Sequence, residues 1–455
     1  MAQIDQKSAS SLAITLNLIT AGFGTGLLTM PWGVAGSSML MSLVILFVVF
    51  ALNAWVVHIL VTASAKCKTY ELGLLMARLP YNLGAVLQVC GNATVWFSQI
   101  LVLIGYTIII VSGLHRYLAA LGIVVSRLVL TAVVAAIAYP LSLLDQQRLA
   151  WTSSISIAAN IYIGGLVFCY ATPYMRLEAI ADAQPDSDLS LPTHRHLCIW
   201  GVSPGAITNF SLQMFALNIL MMILPMYNEL DRRSPERFMR CLLTSYVFLY
   251  LVFAVVMVCG YMAFGPYVES NLLDAMPDDA WAQAARFAMV LCLLGCYPLN
   301  VKPMIAPFLQ QHDGSVPEPG PREPLLGVGP DAKALLKPEA PTTATRNRND
   351  IVEQIVTLLV ILGVSCVSVF LRQLGPLNAF NGALQMTAFV GIIPCSLGLC
   401  LLGKELTPCQ RWIHRIALGL LFALAMFFAT LSFGNLQNEP RALEAACTWH
   451  LDLEL

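Results

Sequence analysis

Apolar runs of about 20 residues, the length that crosses a bilayer, recur from one end of the chain to the other. Their polar interruptions predict about eleven helical spans: 11–35, 39–63, 84–115, 122–144, 151–174, 207–227, 240–263, 282–305, 351–371, 378–402 and 411–434. The third is long and carries Gln88, Asn92 and Gln99, which predicts a tilted or protruding helix. One connection breaks the rhythm. Gln311 to Asp350 holds Ser315-Val-Pro-Glu-Pro-Gly-Pro-Arg-Glu-Pro, which cannot build a core and reads as a disordered inner linker. The expected layout is a short inner N-terminus (1–10), a transmembrane domain (11–434) containing the linker 311–350, and an outer tail (435–455).

Within the first span the pattern contradicts itself. Asn17-Leu-Ile-Thr-Ala-Gly22-Phe-Gly24-Thr-Gly26-Leu-Leu-Thr-Met-Pro31 places three glycines where a span should be most regular. Each opposes helix by about 1 kcal/mol relative to alanine. Lipid cannot satisfy the backbone groups released, so a break at this depth persists only against a protein-enclosed cavity. The half-helix restarting near Leu27 would aim the amides of Gly24, Thr25 and Gly26 into that cavity, where a carboxylate suits them. Close helix packing through Gly22 and Gly26 is an equally good reading of the same glycines.

Composition agrees with a polytopic membrane protein: 455 residues, 58% hydrophobic and 11% charged, against about 25% charged in soluble domains. A net charge of −1 gives no footprint for nucleic acid. Ten residues precede the first span, whose apolar run is too long for a cleaved signal, so it is expected to stay as an anchor. Lysine and arginine set the orientation. Of the 25, eighteen fall on one side, with Arg232, Arg233, Arg237 and Arg240 and then Lys404, Arg411 and Arg415 among them, and the other receives seven: Arg116, Arg127, Arg176, Arg195, Arg286, Arg372 and Arg441. The N-terminus is therefore placed inside and the C-terminus outside. Most of the 13 cysteines lie within apolar runs as small core residues. Cys198 and Cys447 fall in outer segments, where they could pair.

Chemistry is sparse. No nucleophile motif, HExxH, phosphate-binding loop or carboxylate pair is present, so an enzyme is not expected, and no cofactor is implied. Asp145, Glu229 and Glu353 sit at span ends. His58, near the inner end of the second span with Asn53 before it, is the candidate proton carrier. Asn160, Gln213, Asn218, Asn300, Asn378, Asn381 and Gln385 are intramembrane amides, each more readily explained by interhelical hydrogen bonding than by ligand contact. His194 and His196 lack the further ligands that a metal site needs. Asn92-Ala-Thr and Asn209-Phe-Ser fit the glycosylation pattern but lie in or beside spans. Asp331, Leu335 and Leu336 have the spacing of an acidic dileucine sorting signal.

Leu224-Pro-Met-Tyr-Asn-Glu-Leu-Asp-Arg-Arg-Ser-Pro-Glu-Arg237 and Gly260-Tyr-Met-Ala-Phe-Gly265-Pro-Tyr-Val-Glu-Ser-Asn-Leu-Leu273 follow in order. Together with Gly24-Thr-Gly-Leu-Leu-Thr-Met-Pro-Trp-Gly, they resemble the amino acid/auxin permease family. The resemblance implies an all-α, eleven-helix transporter fold of 5+5 inverted repeats. Helices 1 and 6 would be discontinuous and hold the substrate between them. The substrate residues so implied are Thr20, Gly22, Phe23, Gly24, Thr25, Gly26, Phe215 and Asn218. No glycine or proline marks the second break, around Phe215-Ala-Leu-Asn218. Positions that supply sodium oxygens in the sodium-coupled branch match Thr20 and Cys296 (or Leu294), and the proton-coupled branch's histidine matches Asn17. A thiol is a poor sodium ligand, so a proton is the better candidate for co-transport. The function implied is secondary active or facilitative transport of L-amino acids, in a vacuolar, lysosomal or plasma membrane. The alternatives are an amino acid sensor and a permease for another amine or an auxin-like compound.

Overall fold

A computed structural model describes residues 9–80, 83–143, 150–172, 194–217, 219–266, 268–312, 343–371, 373–403, 407–417, 419–420, 423 and 446–454. Helix occupies each of the first ten expected spans. They begin with α1 (Ser11–Gly22) and α2 (Gly26–Ser37), two halves of one span bent by 57°. Then come α3 (Met39–Cys67), the short α4 (Leu72–Ala77), α5 (Leu83–Ala120), α6 (Arg127–Ser142) and α7 (Ala150–Ala171). The second half opens with another broken span, α8 (Gly205–Ala216) and α9 (Leu220–Glu229). It continues through α10 (Pro235–Phe264), α11 (Leu272–Ala275), α12 (Ala280–His312), α13 (Thr343–Phe370) and α14 (Leu374–Gln385). A π-helical segment, Met386–Ile392, leads into α15 (Ile393–Leu401). Seven described spans are long and apolar enough to cross a membrane, eight with the bent pair, and the apolar stretches of α6 and α7 are shorter. Most of the eleventh expected span lies outside the described residues.

Helix α5 has 38 residues, hence about 57 Å of length at 1.5 Å per residue against a hydrocarbon core of about 30 Å. It must tilt or protrude, as its polar interruptions predicted. The expected linker is shorter than 311–350, because α12 runs to His312 and α13 begins at Thr343. Adding a turn to a nucleated helix is far cheaper than starting one. The dileucine positions lie outside the described residues.

The helical bundle carries one short two-stranded ribbon besides. On the side that the charge pattern makes the outer one, β1 (His194–Gly201) pairs antiparallel with β2 (Cys447–Glu454). A disulfide joins Cys198 to Cys447, with 5.8 Å between Cα atoms. The ribbon is seated on the α2–α3 turn. There the Ser38 hydroxyl donates to the Gly201 carbonyl at 3.0 Å and accepts from its N–H at 3.2 Å. Tyr261 Oη accepts from the Cys198 N–H at 3.1 Å. Inner contacts also join segments that the charge pattern places together. Ala9 bridges Leu230, Arg237 Nε donates to Ser11 Oγ, and the Arg233 guanidinium lies 4.9 Å above the Tyr70 ring.

Candidate functional site

Helix α1 stops at Gly22 and α2 starts at Gly26. Between them, the Phe23 N–H still reaches back to the Thr20 carbonyl, while the carbonyls of Gly24 and Thr25 accept from Leu27 and Leu28 at 3.2 Å. The N–H groups of Gly24 and Thr25 meet no acceptor among the described residues. These donors stand at the start of α2, where the helix dipole adds positive potential.

The three glycines do different work. A β-carbon on Gly22 would lie 2.5 Å from Leu249 Cδ1, and one on Gly26 would meet the Ala216 backbone of α8. A β-carbon on Gly24 would have nothing within 4 Å among the described residues. The packing reading therefore describes Gly22 and Gly26, and open space lies only at Gly24. Close contact between α2 and α8 continues outward, since Gly33 lies against Asn209 and Gly205 against the Gly36 carbonyl. Asn209 Nδ2 also donates to Ser37 Oγ at 2.6 Å and Ser42 Oγ at 2.9 Å, with Gln213 Nε2 bonded to the Ser42 carbonyl and Asn209 Oδ1. The outer halves of the two broken spans thus form one tightly joined pair.

The second break falls at Leu217–Ile219, with Ile219 N–H donating to the Leu217 carbonyl at 3.0 Å. Asn218 lies outside the described residues. Phe215 is buried, and its Cβ would be 3.1 Å from a β-carbon on Gly382. Along α14 that contact sets the depth of Gln385, one turn further, where the π segment begins. Gln385 Nε2 donates to Ser98 Oγ at 2.7 Å and Asn381 Oδ1 at 3.2 Å, and Ser98 Oγ donates to Asn381 Oδ1 at 2.7 Å. That fixes the Gln385 side chain and leaves its Oε1 buried without a partner among the described residues. Neighbouring Gln99 contacts Met221 Sδ just beyond the second break at 3.9 Å, and its Oε1 is likewise unpartnered. Two broken helices, a π-helical segment and two orphan amide oxygens therefore share one depth. π-helical turns recur at functional sites, and buried polar atoms without partners ask for a ligand or water.

Other expected residues lie elsewhere. Thr20 is half-buried and its hydroxyl bonds to its own Leu16 carbonyl at 2.9 Å. His58 is exposed on the outer surface of α3, whereas Asn53 is buried. Five residues at 100° each put them about 140° apart around the helix, so His58 faces away from the breaks. The histidine that is buried is His414, with Nδ1 at 2.7 Å from the Gln410 carbonyl and Nε2 unpartnered. Asn17 is exposed and Cys296 half-buried. Gln385 is one of the intramembrane amides of the sequence, whereas Gln99 stands there only as a polar interruption of the third span. Ser98 and the π segment that brings them together had no sequence signal of their own.

Apolar helices long enough to cross a membrane, two of them broken, are the architecture of a membrane transporter. Two solved structures share the fold over nearly the whole chain. A manganese transporter of Eremococcus coleocola has a TM-score of 0.52 at 12% identity, covering 96% of this chain and 92% of its own. A Na+-coupled sialic acid symporter has a TM-score of 0.50 at 12% identity, covering 94% and 93%. The family follows from the sequence: residues 7–436 match the model for transmembrane amino acid transporter proteins, and the chain belongs to that family. It is similar to vacuolar amino acid transporter 7 of Saccharomyces cerevisiae (26% identity over 37% of this chain and 34% of the relative) and vacuolar amino acid transporter 5 (22%, over 62% and 61%). It is also similar to the amino acid transporter AVT6E of Arabidopsis thaliana, at 25% identity over 58% and 54%. The matches span less than two thirds of each relative's length.

Proposed function

We propose that the protein carries zwitterionic L-amino acids across its membrane by alternating access, as a secondary active or facilitative transporter. The observation that carries this reading is the open space at Gly24 beside two unbonded amides, between glycines committed to packing. The amides take the substrate carboxylate. The ammonium needs acceptors, and Gln99 Oε1 and Gln385 Oε1 offer them without a carboxylate. A neutral site of this kind suits a substrate whose charges cancel. Phe23, Phe215 and Asn218 complete the proposed enclosure, with Thr20, Gly22 and Gly26 shaping its backbone. The vacuolar names of the yeast relatives favour a vacuolar or lysosomal membrane over the plasma membrane.

The test is uptake of each of the twenty amino acids into proteoliposomes, in sodium and in sodium-free buffer at matched membrane potential, and at two pH values. Neutral amino acids should accumulate, or equilibrate faster than in empty vesicles. No transport of any of them rejects the reading. Replacing sodium with a large organic cation should leave the initial rate nearly unchanged, because Thr20 is the one side-chain oxygen at the matched positions and Cys296 offers only a thiol. A several-fold loss of rate without sodium would show that backbone oxygens complete a sodium site. A proton is the co-substrate to test in the pH arm, and His58→Ala should leave the pH profile unchanged.

Gln385→Leu tests the ammonium contact. A hydrogen bond to a charged group is worth about 1.5–3 kcal/mol, so KM should rise roughly ten-fold or more, with maximal rate and folded yield less affected. An unchanged KM removes Gln385 from the site.

A further inference from the structure

A groove of about 180 Å3 opens on the surface of the bundle between α5, the first turn of α6 and the end of α13, at the outer side. Its apolar walls include Ile108, Leu128 and Val369, and Arg127 joins the lining with Thr107, Thr131 and Ser368, whose hydroxyls are bonded to carbonyls of their own helices. The surrounding surface is apolar. Leu121, Ile123 and Val124 in the α5–α6 loop are 60%, 50% and 92% exposed, and Phe370 is 78% exposed. So much contiguous apolar surface belongs in lipid rather than water, which places the loop within the bilayer boundary and Arg127 at headgroup depth.

Two other outer arginines have carboxylate partners. Arg116 is 3.5 Å from Asp274, and Arg286 is 2.8 Å from Asp278. Arg127 has no such partner among the described residues. It is also the first residue of α6, capped by Ser126, where the positive end of the helix dipole opposes a cation. A guanidinium in that position, beside a lipid-facing groove, has no anion among the described residues. Snorkelling to water would satisfy the charge alone, but it would leave the groove empty of polar complement.

We propose that this groove holds an anionic phospholipid of the outer leaflet, its phosphate on Arg127 and part of one acyl chain between α5, α6 and α13. Charge complementarity selects the headgroup, and the apolar walls select a lipid over a soluble phosphate. The occupant is structural or modulatory and separate from the breaks, so the proposal stands whether or not the transported substrate is an amino acid.

The experiment is native mass spectrometry of the full chain, released from phosphatidylcholine nanodiscs containing phosphatidylserine. Wild type should retain phosphatidylserine over phosphatidylcholine by about ten-fold relative to their ratio in the disc, the worth of a hydrogen bond to a charged group. Arg127→Gln should abolish the preference, while Arg127→Lys keeps part of it. Val369→Trp, which fills the groove with the cation in place, should reduce retention of both lipids. A thermal midpoint in detergent close to that of wild type establishes that each variant is folded. Three results overturn the proposal. One is equal retention of the two lipids by wild type, and another is a preference that survives Arg127→Gln. The third is unchanged retention in Val369→Trp, which would mean that the phosphate is held without the groove.

Discussion

Gly24→Val is expected to abolish amino acid uptake while the protein folds, reaches its membrane and keeps its thermal midpoint. The added side chain would enter space that is empty to 4 Å around the β-carbon position, so it strains no packing contact. Nor does the backbone object, because Gly24 is not in the left-handed region that side chains avoid. The branched chain would occupy the space beside the amides of Gly24 and Thr25 and keep a carboxylate from reaching them. Gly26→Val should fail in the opposite way. Its β-carbon meets the Ala216 backbone, which cannot rotate aside. Overpacking of this kind costs about 1–3 kcal/mol or more, spent on forcing α2 away from α8. Folded yield by size-exclusion chromatography, read beside initial uptake rate, separates the two. Normal uptake by Gly24→Val would sink the carboxylate cradle. A fully folded, active Gly26→Val would mean that the half-helices separate more easily than their close contact implies.

Those variants also show how far the sequence could be read. Glycine density located the first break to within a residue, because helix propensity is local and the cost of three glycines in five is large. It did not say which glycine faced the cavity, since Gly22, Gly24 and Gly26 are chemically identical and differ only in what α8 and α10 place against them. The second break was placed around Phe215–Asn218 only through the family resemblance. Leu217 and Ile219 are ordinary helix residues, so neighbouring helices must override propensity there. Helical period exposes His58 and buries Asn53, a difference open to the sequence once the buried face of α3 is known. The pairing of β1 with β2 was out of reach, because each strand lies in a short outer segment with nothing to indicate the other. Cys198 and Cys447 were the available hint.

Arg286 offers the second large effect, and it concerns the outer cover of the site. Its side chain is fully buried near the start of α12. From there it donates to the carbonyls of Leu273 at 3.1 Å, Met276 at 2.7 Å and Pro277 at 3.2 Å, and to Asp278 at 2.8 Å. These bonds shape α11 and the turn after it, which lies over the outer ends of α2 and α5. The Asp278 side chain is 64% exposed, so solvent screens that pair, and Asp278→Asn should cost less than about 1 kcal/mol. The carbonyls are different, for no other donor among the described residues reaches them. Arg286→Met removes the donor from all three carbonyls, and a buried acceptor left unsatisfied costs about 1–3 kcal/mol, so the variant should lose several times what Asp278→Asn does. Arg286→Lys should recover little, because an ammonium on a flexible stem cannot span three carbonyls and a carboxylate as a planar guanidinium does. Thermal midpoints and uptake rates of the three variants, with limited proteolysis of residues 265–279, give the order. The expected ranking is Asp278→Asn near wild type, with both arginine variants losing thermal stability, transport and protection of the outer turn. If Asp278→Asn is as damaging as Arg286→Met, the ion pair dominates and the carbonyl cluster is secondary.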